Sequence, residues 1–200
     1  MPGIWWGRRA SPSPPGAYEV LVVPGDEHPD GTLVELDGEP PRPPVITARL
    51  DPSGRITHIA VTPELAGPAP AMWYVEVPET AANPPAMVLI AYATADLADG
   101  TVIDNPTFTA MPVRSDAQVA AIRWWPANGQ IHQIYVGPEH RRQGIGRKLF
   151  AVAGGYVAAR GWPRLWVSGE RTDLGEAALG HAPDYFTHRV TQRHTHSPPM

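Results

Sequence analysis

Proline decides what the first half of this chain can become. Of the 25 prolines in 200 residues, 19 fall before residue 115. A proline inside a helix removes a hydrogen bond and collides with the preceding turn, so helices there are confined to short pieces. The segments between the prolines are rich in β-branched and aromatic residues: AYEVLVV (17–23), VITARL (45–50), RITHIAV (55–61), MWYVEV (72–77) and MVLIAYAT (87–94). These read as strands. The last also admits a helix, opened by Asn83-Pro84 and closed by Gly100. DPSG at 51–54 is turn chemistry, which makes 45–61 a hairpin.

After residue 115 the texture changes. AQVAAIRWW (117–125) and QIHQIYV (130–136) are strands joined by PANG, with Asn128-Gly129 as the turn signal. A helix is expected from about Gln143 to Arg160, its buried face carrying Ile145, Leu149, Phe150, Val152, Ala153, Tyr156 and Val157. Gly154-Gly155 weakens that helix by roughly 1 kcal/mol per glycine, a cost that a close packing approach would explain. Gly161 and Pro163 end it. RLWVS (164–168) is the next strand, and the intervening helix suits a parallel crossover.

Charge and composition narrow the function. A net charge of -4 and the absence of cysteine argue against a general nucleic-acid binder and exclude disulfides, cysteine nucleophiles and thiolate metal sites. No stretch approaches the roughly 20 apolar residues that span a bilayer. The opening MPGIWWGRRASPSPPG lacks a signal-type apolar run, so a cytoplasmic protein is expected, with neither membrane nor nucleic acid as partner. Residues 1–16 are expected to be a disordered leader, docking of Trp5-Trp6 being the alternative. Residues 191–200 are expected to be a disordered tail. His194 and His196 lack the further ligands a metal site needs, and no metal is expected.

GRITHIAVTPE (54–64) lies over GQIHQIYVGPE (129–139) without a gap, and the preceding turns DPSG and PANG coincide. Two readings stand: chance likeness of two hairpins, or a duplicated unit whose first copy has decayed. In that first copy LAGPAPA follows, with neither arginines nor a helix, so the two stretches cannot share a chemistry.

That chemistry concentrates in VGPEHRRQGIGRKLF (136–150). An arginine-rich turn entering a helix combines guanidinium charge, unpaired backbone N–H groups and the positive end of the helix dipole, which suits an anion such as phosphate. Gly144 and Gly146 let a ligand approach the main chain closely. A Walker loop is excluded because Lys148-Leu149 does not supply Gly-Lys-Ser/Thr. A Rossmann turn is excluded because its third glycine is missing and seven residues separate Val136 from Gly144.

Arg141-Arg142-Gln143-Gly144-Ile145-Gly146, after a strand ending in Val-x-Pro-Glu, fits Arg/Gln-x-x-Gly-x-Gly/Ala and resembles the GCN5-related N-acetyltransferases, the GNAT superfamily. The resemblance covers about residues 117–168. It implies a mixed α/β (α+β) fold with a twisted, mostly antiparallel, splayed sheet, here with a strand-rich N-terminal half. The implied donor substrate is acetyl-CoA. Its pyrophosphate would lie on the main chain from Arg142 through Gln143, Gly144 and Ile145 to Gly146, flanked by Arg141 and Arg147. Its pantetheine arm would pair with the strand edge at Ile134, Tyr135 and Val136. The implied reaction is direct attack of an amine, on a small molecule or peptide, on the thioester carbonyl.

Many relatives carry a glutamate where this chain has His132, which can serve as base; a half-buried strand histidine is the alternative. The tyrosine that protonates the departing thiolate would be Tyr185, within DYFTHRV, although Pro183 and Arg189-Val190 depart from the family pattern. Glu170, Asp173 and Glu176 either attract a cationic amine or belong to a capped surface helix. The expected organisation is a β-rich region over 17–112, admitting a degenerate GNAT-like unit, and a donor-binding core over 113–190. The alternative function is a non-catalytic GNAT-fold module for binding or assembly. Oligomeric state and acceptor are not legible.

Overall fold

The computed structural model describes residues 3–168, together with the backbone of 170–171 and 195–196. The first half folds as β1 (Gly3–Ala10), β2 (Tyr18–Gly25), β3 (Leu33–Glu35), β4 (Ile46–Leu50), β5 (Ile56–Val61) and a single helical turn, α1 (Pro63–Ala66). The second half supplies β6 (Trp73–Glu79), β7 (Ala86–Tyr92), β8 (Val102–Asp104), α2 (Asn105–Thr109), β9 (Gln118–Trp125), β10 (Gln130–Val136), α3 (Ile145–Arg160) and β11 (Trp166–Val167). Two short strands, β12 (Glu170–Arg171) and β13 (Thr195–His196), pair in parallel.

The strands form two sheets, ordered β3-β1-β2-β4-β5 and β11-β10-β9-β7-β6-β8. Neighbours are antiparallel except at three edges, where β3 runs parallel to β1, β8 to β6 and β11 to β10. Each sheet is therefore an antiparallel meander whose third strand in sequence returns to run parallel beside the first. The adjoining edges are stitched together by an antiparallel bridge between His58 and Thr101, where Ile59 N–H donates to Gly100 C=O at 2.8 Å.

Helix α3 lies against both sheets, touching β2, β4 and β5 of the first and β9 and β10 of the second. That explains why Ile145, Leu149, Val152, Ala153, Tyr156 and Val157 are all buried: a helix enclosed by two sheets has little outward face. One continuous core joins Val20, Ile46, Leu50 and Ile59 of the first sheet to Leu89, Ile122 and Trp124 of the second through this helix. Each large apolar side chain sealed there contributes roughly 1.5–3 kcal/mol. Gly155 explains its own presence, since a Cβ would meet Ile46 Cγ2 at 2.7 Å and Ile59 Cγ2 at 3.0 Å. The helix ends at Gly161 in a left-handed conformation, φ 64°.

The expected disordered leader is corrected for residues 3–10. They form β1, an internal strand of the first sheet, with Trp5 fully buried. Ile4 and Trp6 face the main core, while Trp5 joins Leu21 and Val23 on the opposite face under Val34 and Leu36. Burial on both faces outweighs the arginines that follow: Arg9 is held by Glu19 and Glu39. The ambiguous 87–94 segment is strand β7. No helix among the described residues is long and apolar enough to cross a membrane.

Candidate active site

Strand β10 pairs with β9 along one side, with a single irregularity. Its register against β9 shifts between Ile131 and Gln133, leaving His132 as the extra residue of a β-bulge. On the other side β11 pairs only with Gln130 and Ile131. From Gln133 to Val136 the outer edge of β10 has no strand beside it among the described residues, and Ile134 is 39% exposed there. Joined at Gln130 and Ile131 and unpaired beyond them among the described residues, β10 and β11 leave a wedge. Its open backbone edge can accept an extended ligand. His132 is exposed at this bulge, with its ring 5.2 Å from that of Trp125.

The chain leaves β10 through Gly137, whose N–H bonds Val119 C=O at 3.0 Å, and enters a 3-10 turn at Pro138–His140. Arg141 folds back, its Nε donating to Val136 C=O at 3.1 Å. Arg142 follows with φ 65°, alone among described non-glycine residues in having positive φ, and Gly144 has φ 78°. Left-handed backbone is uncommon for a side chain as long as arginine's, and such positions cluster at ligand-binding sites. Gly144 caps α3 without any side-chain hydrogen bond, and the helix begins with Lys148 N–H to Gly144 C=O at 3.0 Å. The helix itself thus leaves the amides before Lys148 unused, at the positive end of its dipole.

Charge reinforces the backbone. Arg142 is exposed and forms no ion pair among the described residues, and Arg141 spends its Nε on a carbonyl rather than a carboxylate. Gln143 braces the turn by donating to Glu139 C=O at 3.2 Å. A Cβ on Gly146 would meet only Val136 Cγ2, at 3.6 Å, so this side of the first helical turn is open. Gly144 is different: a Cβ there would press on Pro68 Cδ at 3.0 Å and Ala69 N at 3.1 Å. The turn is packed on one side by the segment after α1 and free on the other.

Sequence patterning did not single out that packing. Arg147 donates to Glu64 C=O, so its guanidinium is committed to the neighbouring segment. Lys148, with its side chain only 6% exposed, donates to Pro70 C=O at 2.9 Å and to Asp99 at 2.8 Å. The same Asp99 carboxylate accepts Met72 N–H at 2.7 Å. A lysine amid the buried positions of the helix was the available signal; its partners are too distant in sequence to be found from it. Tyr185, Asp173 and Glu176 lie outside the described residues, and only the backbone of Glu170 is described.

The wedge at β10 and the open, cationic turn feeding α3 are continuous, separated only by the 3-10 turn. The arrangement can hold a long ligand with an extended middle and an anionic end. Residues 83–180, from the approach to β7 onward, match the acetyltransferase (GNAT) family. An 87-residue stretch is 36% identical to a streptothricin acetyltransferase of Streptomyces lavendulae, covering 42% of this chain and 45% of that protein. The match thus spans less than half of that relative's length. No solved structure matches the chain. The strand, turn and helix of this site thus all lie within the segment, residues 83–180, that matches the GNAT acetyltransferase family.

Proposed function

We propose that the chain transfers an acetyl group from acetyl-CoA to an amine. The observation that carries this is the edge of β10, unpaired among the described residues, running directly into an uncapped, positively charged helix start. In this reading the backbone of Ile134–Val136 pairs with the pantetheine amides. The amides from Arg142 to Gly146 hold the pyrophosphate, aided by the Arg141 and Arg142 charges. Arg147 contributes its main chain, its side chain being engaged by Glu64.

The amine nitrogen attacks the thioester carbonyl carbon at the mouth of the wedge. A C–N bond forms, the carbonyl electrons move to oxygen, and a backbone N–H of the bulged strand stabilises that oxyanion. His132, exposed at the bulge, takes the proton the amine loses, directly or through water. Collapse of the intermediate breaks the C–S bond and releases the thiolate of coenzyme A. Tyr185 remains the candidate for protonating it.

The named relative acts on streptothricin. For this chain the acceptor is proposed only as an amine of a small molecule or peptide. Calorimetric titration of acetyl-CoA and of CoA tests the donor site, and release of free CoA with a panel of amines tests transfer. Micromolar binding together with amine-dependent CoA release supports the enzyme. Binding without release by any amine favours a module that keeps the fold for binding, and absence of binding by folded protein refutes the proposal.

A further inference from the structure

The five strands of the first sheet, β1–β5, correspond in order to β6–β10 of the second, and so does the chain that leaves them. Gly54 and Gly129, in the two hairpin turns, have φ 81° and 75°. Beyond them β5 shifts register against β4 with Thr57 as the extra residue, and β10 does so against β9 with His132. Thr57 and His132 are the residues that the aligned stretches GRITHIAVTPE and GQIHQIYVGPE place together. Pro63 and Pro138 then open helical turns. Gly67, at φ 62°, and Arg142, at φ 65°, both have positive φ at matching positions. Chance likeness of two hairpins does not extend to a shared bulge, a shared proline-opened turn, a shared positive-φ residue and a shared order of five strands.

The copies then diverge at the two features that make the second one a donor site. The edge of β5 is filled by the chain itself, because Ile59 N–H donates to Gly100 C=O where β10 stands open. After Gly67 no helix starts. Pro68 and Ala69 instead lie against Gly144, and Pro70 accepts from Lys148. The lost turn of one copy packs on the retained turn of the other.

We infer that the 62–70 turn is the decayed counterpart of the 137–146 turn and has become the clamp that holds it in shape, with Lys148 and Asp99 as positioning residues. The inference rests on the acetyl-CoA site proposed above. Lys148 belongs to the first turn of α3 and reaches both Pro70 C=O and the Asp99 carboxylate, while Asp99 also fixes Met72 N–H. A single buried ammonium thus pins the helix start, the decayed turn and the β7–β8 connection together. Neither residue needs to touch the ligand. Together they set where the amides of Arg142–Gly146 stand, and displacing such groups by about 1 Å can cost two orders of magnitude.

The test compares acetyl-CoA with S-acetylpantetheine, which carries the thioester and the amides but no pyrophosphate. Lys148→Met and Asp99→Asn are titrated with each donor, alongside wild type, with folding checked by thermal unfolding. The expected result is a loss of at least about tenfold in affinity for acetyl-CoA, with binding of S-acetylpantetheine unchanged. If Lys148→Met does not fold, Asp99→Asn alone decides, since it removes the charge that holds the Lys148 ammonium while the amide oxygen still accepts Met72 N–H. Equal losses for both donors, or no loss for either, overturn the clamp while leaving the donor site standing. Failure of wild type to bind acetyl-CoA removes the site itself.

Discussion

Gly146 separates what the fold needs from what the ligand needs. It is the second residue of α3, and a Cβ there meets only Val136 Cγ2, at 3.6 Å, an ordinary contact. Replacing it by glutamate relieves a helix position of glycine, worth up to about 1 kcal/mol. The change also places a carboxylate at the positive end of the helix, worth about 0.3–1 kcal/mol. The variant is expected to be as stable as wild type or more so, by about 1 kcal/mol in urea denaturation. Its carboxylate, however, stands over the amides that would receive a pyrophosphate. At about 5 Å and an effective dielectric near 20, each facing pair of like charges repels by about 3 kcal/mol, some two orders of magnitude in affinity. Calorimetry should therefore find acetyl-CoA binding abolished in Gly146→Glu and retained in Gly146→Ala. Binding by Gly146→Glu within about threefold of wild type would move the anion off this turn and refute the reasoning. Gly144 cannot serve the same test, because its left-handed backbone and its contact with Pro68 make any substitution a perturbation of the fold.

Three other outcomes follow from named contacts. Gly155→Ala drives a methyl into Ile46 and Ile59, and overpacking of about 1–3 kcal/mol outweighs the helix-propensity gain of up to about 1 kcal/mol, lowering the urea midpoint. His132→Gln should slow acetyl transfer about a hundredfold or more in single-turnover kinetics and leave the calorimetric affinity for acetyl-CoA unchanged; an equal rate would make His132 a bystander. His58 has its pKa lowered chiefly by burial and further by Arg49, against the Asp99 carbonyl and carboxylate that oppose the shift. The unfolded chain then binds the proton first, so this contribution to stability is complete above about pH 6.5 and is lost as pH falls below it. His58→Gln, which can still donate to Asp99 C=O, should flatten the acid side of a stability–pH profile.

Local signals located the second half well because its instructions are local. The turn PANG, the β-branched and aromatic residues of β10, the arginine–glycine run and the stop at Gly161 each act within a few residues. Where sequence reasoning fell short, the deciding contacts are remote. β1 looked like a leader because Arg8, Arg9 and a cluster of prolines follow its tryptophans. Its place is set instead by β2 and β3 on either side and by Glu19, itself 5% exposed between Arg9 and Arg49. β3 and β8 span only three residues each, too short for any periodicity, and exist because β1 and β6 offer edges. The helix was expected to show one buried face. It shows burial nearly all round because a second sheet, invisible to local patterning, covers the other side.

That second cover makes the first half a structural requirement for a site it does not itself contain. The segment matching the acetyltransferase family begins at residue 83, after β6 and the whole first sheet. Removing residues 1–82 would strip Ile46 and Ile59 from Gly155. It would also take Glu76 from the Tyr156 hydroxyl, bonded at 2.6 Å, and the Gly54 and Glu76 partners from Arg160. It would free the start of α3 from Glu64, Pro68 and Pro70 as well. Exposing one flank of a helix buried on both costs several large apolar side chains at roughly 1.5–3 kcal/mol each, comparable with the roughly 5–15 kcal/mol that a domain has in total. The fragment 83–200, expressed alone, should therefore lack cooperative unfolding and the near-ultraviolet circular dichroism of packed Trp124 and Tyr156. Adding the separately expressed 1–82 fragment should restore both signals. A fragment 83–200 that unfolds cooperatively and binds acetyl-CoA by itself would show the first sheet to be an appendage rather than half of the helix's housing.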